Sequence, residues 1–276
     1  MAMASATEPQ QDGARALAPV LKVLNGVPLA VWTLIGLLLF WEAYVRLANV
    51  PAFILPAPSA IAQEFRAYGH RLFPNALVTM FEVVFGFTCA VLIGVPLAVA
   101  IVYSKFIQKG VYPLIVASQT IPKVAIAPLL LTWFGYGMTP KIVIVILLSF
   151  FPIVINSVMG LRSASDEMIH LARSMGASAW QTFWKFRLPH ALPSIFAGLK
   201  LATALSVIGA IVAEFIGADK GLGYLILIAG SNFDVARQFA AIICIALIGM
   251  CFFFTLEMVE RFAIPWRNKS DVSSEA

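Results

Sequence analysis

Residues 166–193 read DEMIHLARSMGASAWQTFWKFRLPHALP and form the longest polar segment in a chain that is otherwise mostly apolar. Gly176 divides this polar segment, because glycine suits the left-handed conformation that commonly ends a helix. Ser178, with Gln181 three residues later, has the spacing of a capping box that starts a new helix. The polar segment therefore predicts two short helices that meet at Gly176.

The outer ends of these two predicted helices also carry residues that are typical of helix boundaries. Ser163, followed by Asp166, can cap the first helix, and the acidic Asp166 and Glu167 suit the positive N-terminal end of its dipole. Pro189 and Pro193 are expected to break the chain before the next apolar segment, because proline lacks a backbone N–H. The predicted helix pair is thus bounded on both sides.

The composition excludes a water-soluble protein. Of the 276 residues, 61% are hydrophobic and 12% are charged, whereas soluble domains are nearer half apolar and about a quarter charged. The net charge of +5 fits basic cytoplasmic loops of a membrane protein, and we do not interpret it as nucleic-acid binding. Cys89, Cys244 and Cys251 lie in apolar runs without a Cys-x-x-Cys pair. We therefore expect no disulfide, no metal site and no cofactor.

Apolar runs long enough to cross about 30 Å of hydrocarbon define the fold class. They are residues 23–47, 76–102, 111–134, 142–160, 194–215 and 238–262. The sequence therefore predicts an all-α polytopic membrane protein with six transmembrane helices in a bilayer. Its membrane domain is expected at residues 26–266, between a tail at 1–25 and a tail at 267–276. Ser59 is expected to cap a separate amphipathic helix, residues 59–68, that lies along the membrane surface.

The basic residues set the orientation. Six transmembrane helices place both termini on one side. Lys and Arg residues are roughly twice as numerous on one side of the membrane as on the other. The richer side holds the tails, a short basic turn at residues 103–110 and the polar segment with its flanks. On the opposite side, Lys141 ends a turn. The positive-inside rule therefore assigns both termini and the polar segment to the cytoplasm. A helix pair there fits a socket for a soluble partner or an ordinary loop, and both interpretations stay open.

The third apolar run is expected to be bent or broken. Pro122, Lys123 and Pro128 lie inside it, and proline removes a backbone donor and kinks a helix. Broken backbone at membrane depth needs partners from protein or from a water-filled cavity. Lys123 then either lines a pathway or extends to one interface and anchors the broken end there.

Other polar residues in the apolar runs are candidates for a translocation pathway. Asn156 is expected to make an interhelical hydrogen bond or, less favourably, to contact a substrate. Glu82 and Glu214 lie near the ends of their runs. The candidate pathway residues are Thr120, Lys123, Asn156 and Glu214. The glycine-rich residues 217–226 lack the spacing of a phosphate-binding loop and predict a turn with a re-entrant or surface segment.

The polar segment resembles the cytoplasmic "EAA" motif of permease subunits in ABC importers, Glu-Ala-Ala followed by three residues, Gly, nine residues, Ile, one residue and Leu-Pro. Ala172, Gly176 and the Leu188–Pro189 pair match, and Phe186 stands at the Ile position. His170 and Leu171 replace the Glu and the first Ala. FILPAPSAI, PLLLTWFGYG, AEFIGADKGLGYLI and MVERFAIPW resemble permeases of the nitrate/sulfonate/taurine branch, which also takes pyrimidine-type vitamin precursors.

This resemblance implies a division of labour. Importers of the family pair two permeases with two ATP-hydrolysing subunits and an extracytoplasmic solute-binding protein, so this chain is expected to be no enzyme itself. It implies a bacterial inner-membrane location and a second, identical permease copy. It also implies a small solute, anionic in the first instance, with a pyrimidine or vitamin precursor as the alternative. The implied ATPase-coupling residues are Asp166, Glu167, His170, Ala172, Arg173, Gly176 and Ala177.

Two other classes of protein are disfavoured. A secondary transporter driven by an ion gradient usually shows inverted repeats and paired intramembrane acids, and no repeat relates the two halves of this chain. An intramembrane enzyme would need a catalytic motif, such as His-Glu-x-x-His or Gly-x-Ser-x-Gly, and none occurs in the sequence. His70, His170 and His190 are scattered outside the apolar runs.

Overall fold

The computed structural model describes residues 29–266. Within them the secondary structure is entirely helical, as the sequence predicts. The predicted tails at residues 1–25 and 267–276, and the first residues of the first apolar run, lie outside the described residues.

Ten helical elements follow one another along the described chain. They are α1 (Leu29–Leu47), α2 (Pro58–Tyr103), α3 (Lys105–Ser118), α4 (Lys123–Phe134), α5 (Met138–Arg162), α6 (Asp166–Ser174), α7 (Ala179–Thr182, continued by a π-turn at Phe183–Arg187), α8 (Leu188–Gly217), α9 (Leu222–Ser231) and α10 (Val235–Ala263). Five helical stretches are long and apolar enough to cross a membrane, namely α1, α2, α5, α7 with α8, and α10, and a sixth is present if α3 and α4 are taken as one bent segment.

Helix α2 contradicts the prediction of two separate elements. The expected surface helix and the second apolar run form one helix of 46 residues, with Pro74 inside it. Ser59 is not the cap, because Ala57 occupies that position. Glu42 of α1 instead accepts hydrogen bonds from the Ser59 backbone N–H at 3.0 Å and from its hydroxyl at 2.8 Å. A carboxylate from a neighbouring helix thus satisfies the start of α2, which sequence spacing within α2 does not show.

The third apolar run is broken, as predicted. Helices α3 and α4 meet at a bend of 98°, and Pro122 precedes the first residue of α4. The basic turn expected at residues 103–110 is wrong, since α3 already begins at Lys105. Ser104 caps it by accepting a hydrogen bond from the Ile107 N–H at 3.3 Å. Only this one residue separates α2 from α3.

The chain after the polar segment does not break at its prolines. It is helical without interruption from Ala179 to Gly217, so the expected break at Pro189 and Pro193 is wrong. In the π-turn the Leu188 N–H donates to the Phe183 carbonyl, five residues back. Such a wide turn accommodates the ring of Pro189, which would clash with the carbonyl four residues earlier in a regular helix.

Much of the exterior of the long helices is apolar. On α1 the side chains of Leu34, Leu37 and Phe40 are exposed, and on α10 Phe254 and Phe262 are exposed. Exposed apolar area of this extent is unusual for a soluble monomer. It is the surface that contact with lipid chains requires.

Helices α5 and α8 form the centre of the bundle and approach closely at glycines. A Cβ added to Gly198 would lie 2.6 Å from the Asn156 Cβ and 2.9 Å from the Pro152 carbonyl oxygen. A Cβ added to Gly209 would lie 3.1 Å from the Val145 Cα. Small residues let membrane helices pack backbone to backbone, where van der Waals contact drives association.

Gly198→Ala should lower the free energy of unfolding by about 1–3 kcal/mol, because the added methyl group must separate helices that are already in contact. Thermal unfolding of the purified protein in lipid nanodiscs measures the effect. The matched control is Gly69→Ala in α2, where no atom lies within 4 Å of the added Cβ. Equal melting temperatures for both variants and the wild type would contradict the close packing.

Candidate functional site

Helix α6 carries most of the candidate coupling residues and begins with a serine cap. The cap is Ser165, whose hydroxyl oxygen accepts a hydrogen bond from the Met168 N–H at 3.3 Å. Ser163, the predicted cap, instead donates its hydroxyl to the Gly160 carbonyl at the end of α5. Asp166 and Glu167 lie in the first turn, where the helix dipole stabilises their negative charges.

The end of α6 confirms the prediction for Gly176. Its φ of 84° is left-handed. The Gly176 N–H donates to the Arg173 carbonyl at 2.9 Å, and the Ala177 N–H donates to the Ala172 carbonyl at 3.0 Å, which is the Schellman pattern. The predicted capping box of Ser178 and Gln181 is also present. Helix α6 is therefore terminated at both ends by local hydrogen bonds.

The two faces of α6 differ in exposure. Ile169 and Ala172 face the bundle and are 5% and 4% exposed. Of the predicted coupling residues, those exposed to solvent are Asp166, Glu167, His170, Arg173 and Gly176, while Ala177 is half-buried. Leu171 and Met175, which the sequence interpretation did not include, are 64% and 81% exposed. The structure therefore divides the predicted set into an outward face and the inward Ala172.

Aromatic contacts join the π-turn after α7 to the end of α2. The rings of Tyr103 and Phe183 have centroids 6.0 Å apart, and the Arg187 guanidinium lies 5.3 Å from the centroid of the Tyr103 ring. A cation over an aromatic face is attracted by the ring quadrupole. The last residue of α2 is thus held against the polar segment.

Two candidate pathway residues lie at the break between α3 and α4. The Thr120 hydroxyl donates to the Ala117 carbonyl at 2.8 Å. The Lys123 Nζ lies 4.5 Å from the centroid of the Phe151 ring on α5. With a rise of about 1.5 Å per residue, Phe151 is about 15 Å along α5 from Lys141 and about 16 Å from Arg162. Lys123 therefore meets α5 near the middle of that helix.

The other two candidates lie elsewhere. The Asn156 side-chain amide donates to the Pro152 carbonyl of its own helix at 2.9 Å, so the hydrogen bond that the structure shows for it lies within α5. Glu214, near the end of α8, has no exposed surface. The structure thus places the four residues in three separate positions and does not gather them into one site.

A buried polar cluster surrounds Glu214. Its Oε1 accepts a hydrogen bond from the Thr79 hydroxyl at 2.7 Å, and its Oε2 accepts one from the Gly223 N–H at 2.5 Å. Glu82 lies on α2 one helical turn after Thr79, the residue that donates to Glu214. It also pairs with Lys141 on α5 at 2.8 Å. These charged groups join α2, α5 and α8.

The same cluster caps the N-terminus of α9. The N–H groups of Gly221, Leu222 and Gly223 donate to Asn75 Oδ1, Thr79 Oγ1 and Glu214 Oε2, respectively. The first N–H groups of a helix have no partner within the helix. Side chains from α2 and α8 supply these partners here. Leu222, Gly223, Leu225 and Ala229 of α9 are buried, so the glycine-rich residues lead into a helix packed in the bundle.

The sequence interpretation missed the role of Lys141, which it placed in an exterior turn. The residue is 4% exposed and lies in the first turn of α5. A signal was available, because an acid such as Glu82 inside an apolar helix requires a polar partner. The partner is 59 residues away in the sequence, a separation that local spacing does not report.

The cluster lies at the end of the bundle opposite to α6, which we call the far end. Tyr103, which contacts the polar segment, lies about 31 Å along α2 from Glu82. Lys141 and Glu214 lie near the corresponding ends of α5 and α8. The candidate coupling helix and the charged cluster thus occupy opposite ends of the same long helices.

Comparison with known proteins identifies the family. The family model described as "Binding-protein-dependent transport system inner membrane component" matches residues 90–264, which contain α6, the break at Lys123 and the cluster residues Lys141 and Glu214. The chain belongs to this family of ABC importer permeases. The expected membership in the ABC importer permeases is therefore confirmed.

Curated relatives are similar to the permease over most of its length. The formylaminopyrimidine transport permease protein ThiX of Halalkalibacterium halodurans is 36% identical, over 84% of this chain and 93% of that protein. The riboflavin transport system permease protein RibX of Chloroflexus aurantiacus is 38% identical, over 85% of this chain and 88% of that protein. Permeases named for aliphatic sulfonates or taurine, from Bacillus subtilis and Escherichia coli, are 28% to 30% identical.

A solved structure shares the fold. The MetNI methionine ABC transporter, in an inward-facing conformation, contains a chain that superposes with a TM-score of 0.62 at 17% identity, covering 71% of the permease and 98% of that chain. At this identity the likeness concerns the fold alone. The fold of most of the chain is thus one that a chain of an ABC transporter adopts.

Thr79→Val should lower the free energy of unfolding of the permease by about 1–3 kcal/mol, because the Leu222 N–H loses its acceptor and Glu214 loses a donor inside the bundle. Hydrogen exchange at the Leu222 amide should accelerate. The control is Thr88→Val, which removes an exposed hydroxyl that bonds to Val84 of its own helix. An unchanged exchange rate in Thr79→Val would refute the capping role.

Proposed function

We propose that the chain is the permease subunit of an ATP-driven importer in a bacterial inner membrane. In this proposal α3 and α4 together form the third of six transmembrane segments, both termini and α6 are cytoplasmic, and residues 26–266 form the permease domain between tails 1–25 and 267–276. The excess of basic residues on the α6 side supports this orientation. The far end then faces outward.

The exposed face of α6 is the proposed contact with an ATPase subunit. The observation that carries this proposal is that α6 is capped at both ends and buries only its inner face. A short, rigid helix at the end of a membrane bundle can transmit force, whereas a flexible loop would absorb it. Two ATPase subunits would each receive one α6 from a pair of identical permeases, and ATP hydrolysis would take place on those subunits alone.

The contacts behind α6 suggest how its movement reaches the pathway. The π-turn after α7 continues directly into α8, and Tyr103 ties the same turn to α2. Displacement of α6 and α7 would therefore move two long helices as rigid bodies. The far end, where an extracytoplasmic solute-binding protein would dock, is connected to the same two helices.

Gly176→Asp should abolish the stimulation of ATP hydrolysis by loaded binding protein while the permease still inserts. The left-handed φ at Gly176 disfavours residues with a Cβ, and a new charge would enter the proposed contact. Co-purification of the ATPase and its hydrolysis rate in liposomes are measured. Gly135→Asp is the matched control, because Gly135 also has a left-handed φ and open space around it but lies at the far end. Normal stimulation in Gly176→Asp would refute the proposal.

For the substrate we propose a small heteroaromatic compound of the vitamin-precursor class. The relatives named for formylaminopyrimidine and riboflavin are 36% and 38% identical to this chain, and those named for sulfonates or taurine are less similar. An anionic sulfonate is the second candidate, which the positive charge of Lys123 favours. Selection between solutes would fall mainly to the binding protein.

Lys123 is the residue that we place on the pathway. The 98° break brings its amine to the middle of α5 and not to either end, which supports pathway lining over interfacial anchoring. Broken backbone at this depth needs a water-filled or protein-lined environment. Thr120, in the same break, and Asn156 on α5 are proposed to line the pathway with it, and Glu214 would act at its outer end.

Lys123→Met should lower uptake per inserted transporter about tenfold, roughly the effect of losing one hydrogen bond from a charged donor. Uptake of a labelled aminopyrimidine and of labelled taurine by the reconstituted importer measures both the effect and the substrate class, and the pyrimidine should be preferred. Lys109→Met removes an equal charge from an exposed position on α3 and should leave uptake unchanged. Unaltered uptake in Lys123→Met would restore the anchoring interpretation.

A further inference from the structure

The charged groups of the far-end cluster do not balance if all of them are ionised. Glu82 and Glu214 are fully buried, and Lys141 is 4% exposed. One lysine neutralises one carboxylate, so the second would leave an uncompensated negative charge inside the bundle. Such a charge is strongly unfavourable in a low-dielectric interior unless a proton or a further cation is bound.

The hydrogen bonds show which carboxyl oxygen has room for a proton. Both oxygens of Glu214 accept hydrogen bonds, from the Thr79 hydroxyl and the Gly223 N–H. Glu82 Oε1 accepts from Lys141. Within the described chain, Glu82 Oε2 is buried and receives no hydrogen bond from any donor. Glu82 nevertheless lies one helical turn after Thr79, which donates to Glu214, so the two carboxyl groups are neighbours that would repel each other if both were ionised.

We propose that the cluster binds one proton, carried on Glu82 Oε2 and donated in a hydrogen bond to Glu214. The bound proton gives every polar atom of the two carboxyl groups a partner. It also reduces the sum of charges over Lys141, Glu82 and Glu214 to zero. The negative charge then remains on Glu214, which is the carboxylate that caps the N-terminus of α9 and is favoured there by the helix dipole.

This assignment gives the two glutamates different roles. Glu82 is a neutral hydrogen-bond donor that positions Glu214, and Glu214 is the charged acceptor. A Cβ at Gly221 would overlap the Glu214 carboxyl, so the glycine permits the carboxylate to reach the start of α9. The site belongs to the far end of the fold and does not depend on the proposed coupling role of α6.

Two substitutions distinguish the glutamates, because glutamine mimics a protonated glutamate. Glu82→Gln places an amide N–H where the proton is proposed and should keep the melting temperature in nanodiscs within about 2 °C of the wild type. Glu214→Gln removes the charge and points an amide N–H toward the Thr79 hydroxyl or the Gly223 N–H, which are themselves donors. This substitution should lower the melting temperature by at least about 5 °C. The control, Glu260→Gln, removes the buried carboxylate that pairs with Lys200 and should also destabilise. The reverse order for Glu82→Gln and Glu214→Gln would overturn the assignment to Glu82.

Infrared spectroscopy detects the proton directly. The full-length permease in nanodiscs at pH 7 should show the C=O stretching band of a protonated carboxyl group, shifted in D2O. The band should disappear in Glu82→Gln and persist in Glu260→Gln. A wild-type spectrum that does not differ from that of Glu82→Gln in this region would show that Glu82 carries no proton, and would overturn the proposal whatever the melting temperatures.

Discussion

The buried cluster of Lys141, Glu82, Thr79 and Glu214 joins three of the long helices at the far end of the bundle. In an apolar environment, polar groups cannot exchange their protein partners for water, so each must be satisfied within the fold. The cluster supplies such partners to the backbone as well, because its side chains accept hydrogen bonds from the N–H groups at the start of α9. The position of α9 follows from these bonds.

The opposite end of the bundle is organised by local hydrogen bonds. Helix α6 begins at the Ser165 cap and ends at Gly176, and α7 begins with the capping box of Ser178. Each of these devices involves residues within a few positions of one another. One end is therefore held by contacts distant in sequence and the other by adjacent residues, with α2 and α8 connecting them as continuous helices.

This difference explains what the sequence could and could not predict. Capping and glycine signals are local, so both ends of α6, the start of α7 and the break near Pro122 were predicted correctly, apart from the exact cap of α6. The fusion of two predicted elements into α2 was missed because the carboxylate that accepts the Ser59 N–H at the start of that helix comes from Glu42 on another helix. The pairing of Lys141 with Glu82 was missed because the two residues lie on different helices, 59 positions apart in the sequence. Proline was given too much weight as a helix breaker, since Pro189 and Pro193 lie within the continuous helical stretch Ala179–Gly217.

The departure from the family motif at His170 changes how α6 can bind its proposed partner. An exposed histidine replaces the motif's glutamate, and exposed Leu171 and Met175 lie close to it in the sequence. Exposed ion pairs contribute little to binding free energy, whereas burial of an apolar side chain contributes about 1.5–3 kcal/mol. A coupling contact built on Leu171 and Met175 would therefore lose little from the absent glutamate. The conformation at Gly176, which sets where Met175 projects, would matter more than the charge at position 170.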